Sequence, residues 1–152
     1  MFKKMTLVCL GSLLFAGCAS VPMESKEASN QAKQFASPPQ GQAGLYIYRG
    51  SGIGSALKKE IRVDGKCVGK SAPNVFFYEQ VPGGSEHLIT TESEFSPNEL
   101  KLVMNSGMNY FVRQYIKMGV FVGGANLEVV DEATGKQAIG DLEMAVKGNC
   151  NG

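Results

Sequence analysis

Tryptophan is absent from this chain, and histidine occurs only once, at His87. One histidine cannot supply a multi-histidine metal or hydrolytic site, and no HxH, CxxC or HExxH spacing occurs. An excess of charge of one sign is also lacking, since 15 basic and 14 acidic residues leave a formal net charge of +1. A near-neutral chain has no electrostatic reason to bind nucleic acid. The sequence therefore predicts no metal, no cofactor and no nucleic-acid partner.

Long hydrophobic runs are missing as well. The longest apolar stretch covers residues 5–16, whereas a membrane-spanning helix needs about 20 apolar residues. Lys3 and Lys4 precede this stretch and Gly17-Cys18 follow it, which is the order of a secretory signal. A cysteine at this point is typical of the lipobox of bacterial lipoproteins, in which the chain is cut before the cysteine and its thiol is acylated. We predict a signal peptide over residues 1–17 and lipidation of Cys18; an ordinary signal peptide cut nearby is the alternative.

The residue after the cysteine predicts the destination of the chain. Ala19 stands there rather than aspartate, which by resemblance to the sorting rule of enteric bacteria favours the outer membrane. Several acyl chains hold a protein firmly to a bilayer. We therefore expect a lipid-anchored protein that faces the periplasm, with exposure on the cell surface left open.

Two cysteines remain for the folded part of the chain. Cys9 would leave with the signal peptide and Cys18 would be acylated, so Cys67 and Cys150 are left. The oxidising periplasm permits a disulfide between them, and two free thiols are the alternative. Neither cysteine has a histidine near it in sequence, so nothing marks a catalytic thiol.

The predicted mature chain divides into a tether and a domain. Residues 18–43 are expected to form a flexible, partly helical tether, with Ser25 as a helix N-cap and Pro38-Pro39 as the stop. Phe35 offers one apolar side chain with which the tether could dock. Residues 44–152 form the domain.

The domain alternates short apolar segments with turn residues. Asp64-Gly65 is a hairpin signal, residues 131–136 are a turn or one short helical stretch, and residues 142–146 are a last strand. About eight short strands at this spacing predict an all-β fold, either an antiparallel β-sandwich or a small barrel.

Two glycine-rich segments resemble phosphate-binding loops in sequence. Residues 65–71 have three residues between their glycines, whereas a P-loop has four, and no helix follows. Residues 50–54 have the spacing GxGxG rather than the GxGxxG of dinucleotide-binding loops, and the sequence predicts no helix after them. A hairpin and a flexible loop are the better interpretations. Glu92 and Glu94 are expected to lie on a solvated face.

Aromatic residues supply the candidate binding surface. Most of them are expected in the core, but a subset on an exposed sheet face would form a platform for sugar or peptide. We assign this surface to Tyr46, Tyr48, Arg113 and Tyr115.

Taken in order, the motifs resemble a family of uncharacterised bacterial lipoproteins that share a domain of unknown function. The resemblance rests on Cys18 with its flanks, on the Tyr-Ile-Tyr-Arg run at 46–49, on Val63-Asp64-Gly65-Lys66 with Val68-Gly69, and on Leu127 to Asp131. It implies a compact β-domain on a lipid tether, with no established activity and no catalytic residues to carry over.

These observations lead to one functional expectation and two alternatives. We expect a non-enzymatic lipoprotein that binds an envelope protein or supports envelope maintenance. The first alternative is a glycan- or peptidoglycan-binding module that uses exposed aromatics. The second is a hydrolase, for which the sequence offers no nucleophile with a plausible base.

Overall fold

The computed structural model describes residues 20–150, so the predicted signal peptide and Cys18 lie outside the described residues. The described part contains two sheets that pack face to face, with two short helices on the outside. The elements are α1 (Lys26–Ala32), β1 (Gln42–Arg49), β2 (Lys59–Val63), β3 (Lys66–Ser71), β4 (Val75–Pro82), β5 (Ser85–Thr91), β6 (Asn98–Met104), β7 (Asn109–Lys117), β8 (Gly124–Val130), α2 (Glu132–Gly140) and β9 (Glu143–Met144).

The two sheets confirm the prediction of an all-β sandwich and do not close into a barrel. One sheet has the strand order β8-β7-β1-β4-β9, and the other has the order β3-β2-β5-β6. Most neighbouring strands are antiparallel, as predicted, but β1 pairs with β7 and β4 pairs with β9 in parallel. The parallel β1–β7 pair arises because the turn after β6 is tied to the beginning of β1, where Gly107 N–H donates to the Gln42 carbonyl. Strand β7 therefore starts beside the start of β1 and runs in the same direction.

Strand β1 is buried on both faces, as expected for a central strand covered on both sides. Leu45 and Ile47 belong to the core between the sheets. Tyr46 and Tyr48 point the other way, into a second apolar cluster beneath the helices. The fold therefore has three layers: the helices, the five-stranded sheet and the four-stranded sheet.

Both helices begin at the side chains that the sequence favours for capping. Ala28 N–H donates to Ser25 Oγ over 3.1 Å, and Thr134 N–H donates to Asp131 Oδ1 over 2.9 Å. Helix α2 is longer than the turn or short stretch predicted there, because Ile139 is buried in the cluster under the helices. The predicted last strand at 142–146 is reduced to the two residues of β9.

The segment predicted as a tether is packed against the domain over most of its length. Val21 contacts the inter-sheet core, and Met23 forms a bridge with Ala145. The Pro22 carbonyl accepts a hydrogen bond of 2.9 Å from Val146 N–H. The described chain therefore contacts the domain from Val21 onwards. Residues 22–24 form backbone hydrogen bonds beside β9, and α1 packs on an apolar face of the five-stranded sheet.

The hairpin turn between β2 and β3 confirms the interpretation of residues 65–71. Asp64 and Gly65 both have positive φ, at 50° and 77°, as a type I′ turn requires. The segment after Gly65 is strand β3, so the phosphate-loop alternative has no helix to support it.

Within residues 20–150, no helix has the length and apolar character needed to cross a membrane.

Candidate binding surface

The structure corrects half of the predicted aromatic platform. Tyr46 and Tyr48 are only 1% and 5% exposed, because the helices cover their face of the five-stranded sheet. Tyr46 stacks on Phe111 and meets Phe35 edge to face, and its hydroxyl donates to the Ala32 carbonyl over 2.9 Å. This burial raises the pKa of Tyr46 well above its ordinary value. Both tyrosines are therefore core residues and offer no platform.

Arg113 and Tyr115 lie on the same sheet face, beyond the edge of the helical cover. Arg113 stands opposite Tyr48 in the β1–β7 register, and its guanidinium forms an ion pair of 2.9 Å with Glu128. The same guanidinium lies 5.5 Å from the centre of the Tyr115 ring, while the Tyr115 hydroxyl accepts from Asn126 Nδ2. These two residues remain accessible, but their polar groups already have partners on β8.

Cys67 and Cys150 are joined by a disulfide bond, with their Cα atoms 5.8 Å apart. The bond holds the C-terminal tail beside β3, where Gly148 N–H donates to the Val68 carbonyl over 2.8 Å. The disulfide therefore fixes the tail, which covers an otherwise open edge of the four-stranded sheet.

His87 is buried, with both ring nitrogens occupied by acceptors. Nδ1 lies 2.6 Å from Asp64 Oδ2, and Nε2 lies 2.8 Å from the Pro82 carbonyl. A carbonyl and a carboxylate can only accept, so this arrangement favours the imidazolium, which carries a proton on each nitrogen. Burial lowers the pKa of His87, but the contacts with Asp64 and Pro82 outweigh burial and leave that pKa raised. The pair fixes the Asp64–Gly65 turn against β5.

A cluster of exposed apolar side chains lies at one end of the sandwich. Three loops meet there, comprising residues 50–58, 92–97 and 118–123. Leu57 contacts Gly123, and Gly54 packs on Ile116. We call the exposed apolar side chains of these loops the apolar tip; its members are Ile53, Phe95, Met118, Val120, Phe121 and Val122. Phe121 is 83% exposed and Met118 is 80% exposed, which is unusual for such large apolar side chains.

A buried arginine holds the first of these loops. Arg49 is 3% exposed, and its guanidinium donates to the carbonyls of Gly54 and Leu57 over 2.7 Å each. Burial lowers the pKa of Arg49. Residues 50–54, which resembled a phosphate-binding loop in the sequence, thus belong to a loop whose backbone carbonyls bind Arg49.

A glutamate holds the other two loops together. The Glu94 carboxylate accepts hydrogen bonds from the backbone N–H groups of Val120, Phe121 and Val122, that of Val120 over 2.6 Å. Desolvation raises the pKa of Glu94, but these three donors outweigh it and leave that pKa lowered. Glu94 was expected on a solvated face; its hydrogen bonds are at the surface, and they bind the backbone of residues 120–122, whose side chains are exposed.

Sequence reasoning missed the apolar tip. Residues 118–123 follow the end of β7 at Lys117. The available signal is the run from Gly119 to Gly124, in which three apolar residues stand between glycines. Such bracketing indicates a loop, and an apolar loop is exposed unless another element covers it.

A groove beneath α1 is a concave feature near the predicted platform. Its volume is about 330 Å³, and the residues that line it include Gln31, Tyr46, Tyr78 and Gln80. In the part of the chain that the structure describes, no cluster of histidine, cysteine and acidic side chains is arranged to hold a metal ion.

Comparison with known proteins places the sandwich in a family. A family model described as a protein of unknown function, DUF2846, matches residues 39–125. This range starts just before β1, ends in β8 and includes all three loops of the apolar tip. The chain is also 60% identical over 135 residues to an uncharacterised protein of Haemophilus influenzae, with 89% of this chain and 80% of that protein covered. The chain therefore belongs to the DUF2846 family, whose function is unknown.

Proposed function

We propose that this protein is a lipoprotein of the outer membrane, anchored through Cys18, whose sandwich faces the periplasm and binds an envelope component without catalysing a reaction. The apolar tip is the observation that carries the binding role. Large apolar side chains in three loops are costly to expose in water, and rimmed apolar patches of this kind mark interaction sites.

The construction of the tip supports binding rather than chance exposure. Arg49 and Glu94 hold the loops through hydrogen bonds to their backbone. A preorganised surface loses less conformational entropy when a partner binds. These hydrogen bonds therefore support the interpretation of the tip as a docking surface.

A non-catalytic role is supported by the state of the chemically reactive side chains. His87 is committed to Asp64 and Pro82, and Cys67 and Cys150 are bonded to each other. The two tyrosines of the aromatic-platform alternative are buried, so a glycan-binding role would have to use other residues.

The anchor is tested by the substitution Cys18→Ser. We expect loss of metabolic labelling by palmitate and release of the protein from the outer-membrane fraction, because a serine cannot form the thioether that carries the lipid. Normal labelling and retention would contradict the lipobox.

The binding role is tested by changing the tip in the full-length protein. The double substitution Phe95→Ser and Phe121→Ser should strongly reduce what is crosslinked to the protein in living cells. Val103→Ser is the matched control, since Val103 is 56% exposed but lies on the outer face of β6. Equal crosslinking by both variants would contradict the assignment of the tip.

A further inference from the structure

We infer that strand β6 is a docking edge for a second copy of this chain, whose own β6 pairs with it in the antiparallel sense about a two-fold axis at Leu100. The four-stranded sheets of the two copies then join into one continuous sheet. This inference goes beyond the proposed function and depends on neither the apolar tip nor the lipid anchor. It rests on the backbone of β6, on the charges along β6 and on an exposed apolar side chain of β8.

The backbone groups of β6 that point away from β5 are open. Strand β5 turns the backbone of its even-numbered residues towards β2, where Asp64 N–H donates to the Leu88 carbonyl. The odd-numbered residues of β5 therefore face β6, and their partners there are even-numbered. The odd-numbered residues of β6 are left with N–H and carbonyl groups that point to the free edge. These residues are Glu99, Lys101 and Val103, and all three are exposed.

The other three outer strands differ from β6, because each has a partner at its free edge. The C-terminal tail binds β3 through Gly148 N–H and the Val68 carbonyl, and residues 22–24 bind the segment around β9. On β8, Ala125 N–H donates to the Glu92 carbonyl. An uncovered strand edge is a ready template for pairing with another chain, so β6 is the place where a further strand can be added.

The charged side chains along β6 complement each other in an antiparallel pair. When Leu100 stands opposite the same residue of the second copy, Glu99 of each copy stands opposite Lys101 of the other. Both side chains are exposed, and neither takes part in the ion pairs of the described chain. Opposite charges attract across a strand pair, whereas a register centred on Lys101 places two lysines together. The charges therefore select the register centred on Leu100.

The same register also pairs the open backbone groups. Glu99 and Lys101 both turn their N–H and carbonyl groups to the free edge, and in an antiparallel pair two such residues that stand opposite each other exchange both hydrogen bonds. Leu100 faces β5 with its own backbone, as a residue between two hydrogen-bonded pairs does. Backbone and side chains thus favour one and the same alignment.

An exposed apolar side chain of β8 indicates that the facing sheet ends at β6. Val129 stands opposite Val112 in the β7–β8 register, and Val112 belongs to the core between the sheets. Val129 therefore points to the inner side, yet it is 47% exposed. Strand β8 packs over β6, the last strand of the facing sheet. A second copy of β6 extends that sheet beneath Val129 and brings Leu100 and Leu102 on its inner face.

Charge reversal in the full-length protein tests the pairing. Two copies with different tags are produced in the same cell and extracted in detergent, and capture of one tag reports the association of the two copies. We expect Glu99→Lys to weaken the association about tenfold, because two pairs of opposite charges become two pairs of lysines. The double variant Glu99→Lys, Lys101→Glu restores opposite charges and should restore joint capture. Val103→Ser is the control, since Val103 stands opposite Pro97 at the end of the paired segment.

Cysteine pairs test the register. One tagged copy carries Glu99→Cys and the other carries Lys101→Cys, and a mild oxidant is added to the extract. We expect a disulfide-linked heterodimer, because these positions lie directly opposite each other and cross-strand Cα distances fall within the range of a disulfide. Val103→Cys with Lys101→Cys should give none, since these positions are four residues out of register. The unaltered chain controls for its own cysteines.

The outcomes separate this inference from the proposed function. Joint capture that Glu99→Lys leaves unchanged, or the absence of joint capture of unaltered copies, would overturn the second copy as the occupant of β6. A different protein crosslinked from position 101 would also overturn it and assign the edge to that protein. Normal membrane retention of the Cys18→Ser variant would overturn the proposed anchor and leave the pairing of β6 intact.

Discussion

At the scale of single residues, the charged side chains of this domain serve turns and loops. Arg49 binds the carbonyls of one loop, Glu94 binds the N–H groups of another, and Asp64 ties a hairpin turn to His87. A charged group that accepts or donates several backbone hydrogen bonds forms stronger bonds than a neutral one. These residues thus hold in place segments that have no regular secondary structure.

The Asp64–His87 pair predicts a dependence of stability on pH. The pKa of His87 is raised, so its contribution is complete below its unfolded pKa of about 6.5 and is lost as the pH rises through the folded value. Burial alone would raise the pKa of Asp64, but the hydrogen bonds from His87 and Leu88 N–H outweigh burial and leave that pKa lowered. The contribution of Asp64 to stability is therefore present above its unfolded pKa of about 4 and is lost at more acid pH. The pair therefore stabilises the fold most between these limits.

We expect Asp64→Asn to lower the free energy of unfolding by about 1 kcal/mol near pH 5, after allowance for the exposure of Asp64. Asparagine accepts the positive φ of this turn, so the change removes charge and keeps the backbone. The loss should shrink towards pH 8. Urea unfolding at both pH values measures it, with Glu86→Gln on β5 as the control. An equal loss at both pH values would contradict the role of the charged pair.

At the scale of elements, α1 and the residues after it form a cover for the five-stranded sheet. The Phe35 ring lies 5.3 Å from that of Tyr46 and 5.9 Å from that of Phe111. A seven-residue helix is unstable alone, so its stability comes from this contact. The cover also removes Tyr46 from solvent.

Phe35→Ala should therefore loosen the cover without unfolding the sandwich. We expect a loss of about 2 kcal/mol, roughly half the cost of truncating a fully buried phenylalanine, because Phe35 is only partly buried. Phe35 has a φ of 51°, and the backbone strain of this conformation is about the same for alanine as for phenylalanine. The substitution therefore tests the contribution of the ring alone. Hydrogen exchange should increase in α1 and remain slow in β1.

Phe95→Ala is the control for this prediction. Its ring is 77% exposed, so we expect a change within about 0.5 kcal/mol. Unchanged exchange in α1 after Phe35→Ala would show that the ring does not hold the helix.

At the scale of the whole molecule, the C-terminal tail crosses from one sheet to the other. Ala145 N–H donates to the Phe76 carbonyl of the five-stranded sheet, and Gly148 N–H donates to Val68 of the four-stranded sheet. The Cys67–Cys150 disulfide then locks the tail in place across 83 residues of sequence. The tail thus joins the two layers of the sandwich.

We expect the double substitution Cys67→Ser and Cys150→Ser to lower the free energy of unfolding by about 4–5 kcal/mol, the loop-closure contribution for a ring of this length. Unfolding of the unaltered protein with and without reductant provides the comparison, and the reduced protein should match the variant. Equal unfolding midpoints with and without reductant would contradict the contribution of the bond.

The apolar tip and the Asp64–His87 pair could not be predicted from the pattern of residues. Glu94 meets residues 120–122 across 26 to 28 positions of sequence, and His87 meets Asp64 across 23. Such pairs depend on how the loops converge after the sheets form. Tyr46 and Tyr48 were placed on an open face for the same reason, since α1 and α2 are too short for the sequence to predict what they cover.

The sequence by itself determined the local features of this protein. The Ser25 cap, the type I′ turn at Asp64–Gly65 and the alternation of short strands follow from side-chain chemistry and backbone preferences over a few residues. The tertiary structure alone decided which apolar side chains are covered and which remain exposed. Burial depends on packing between segments distant in sequence: the same apolar character places Tyr46 in the core and leaves Phe121 in solvent.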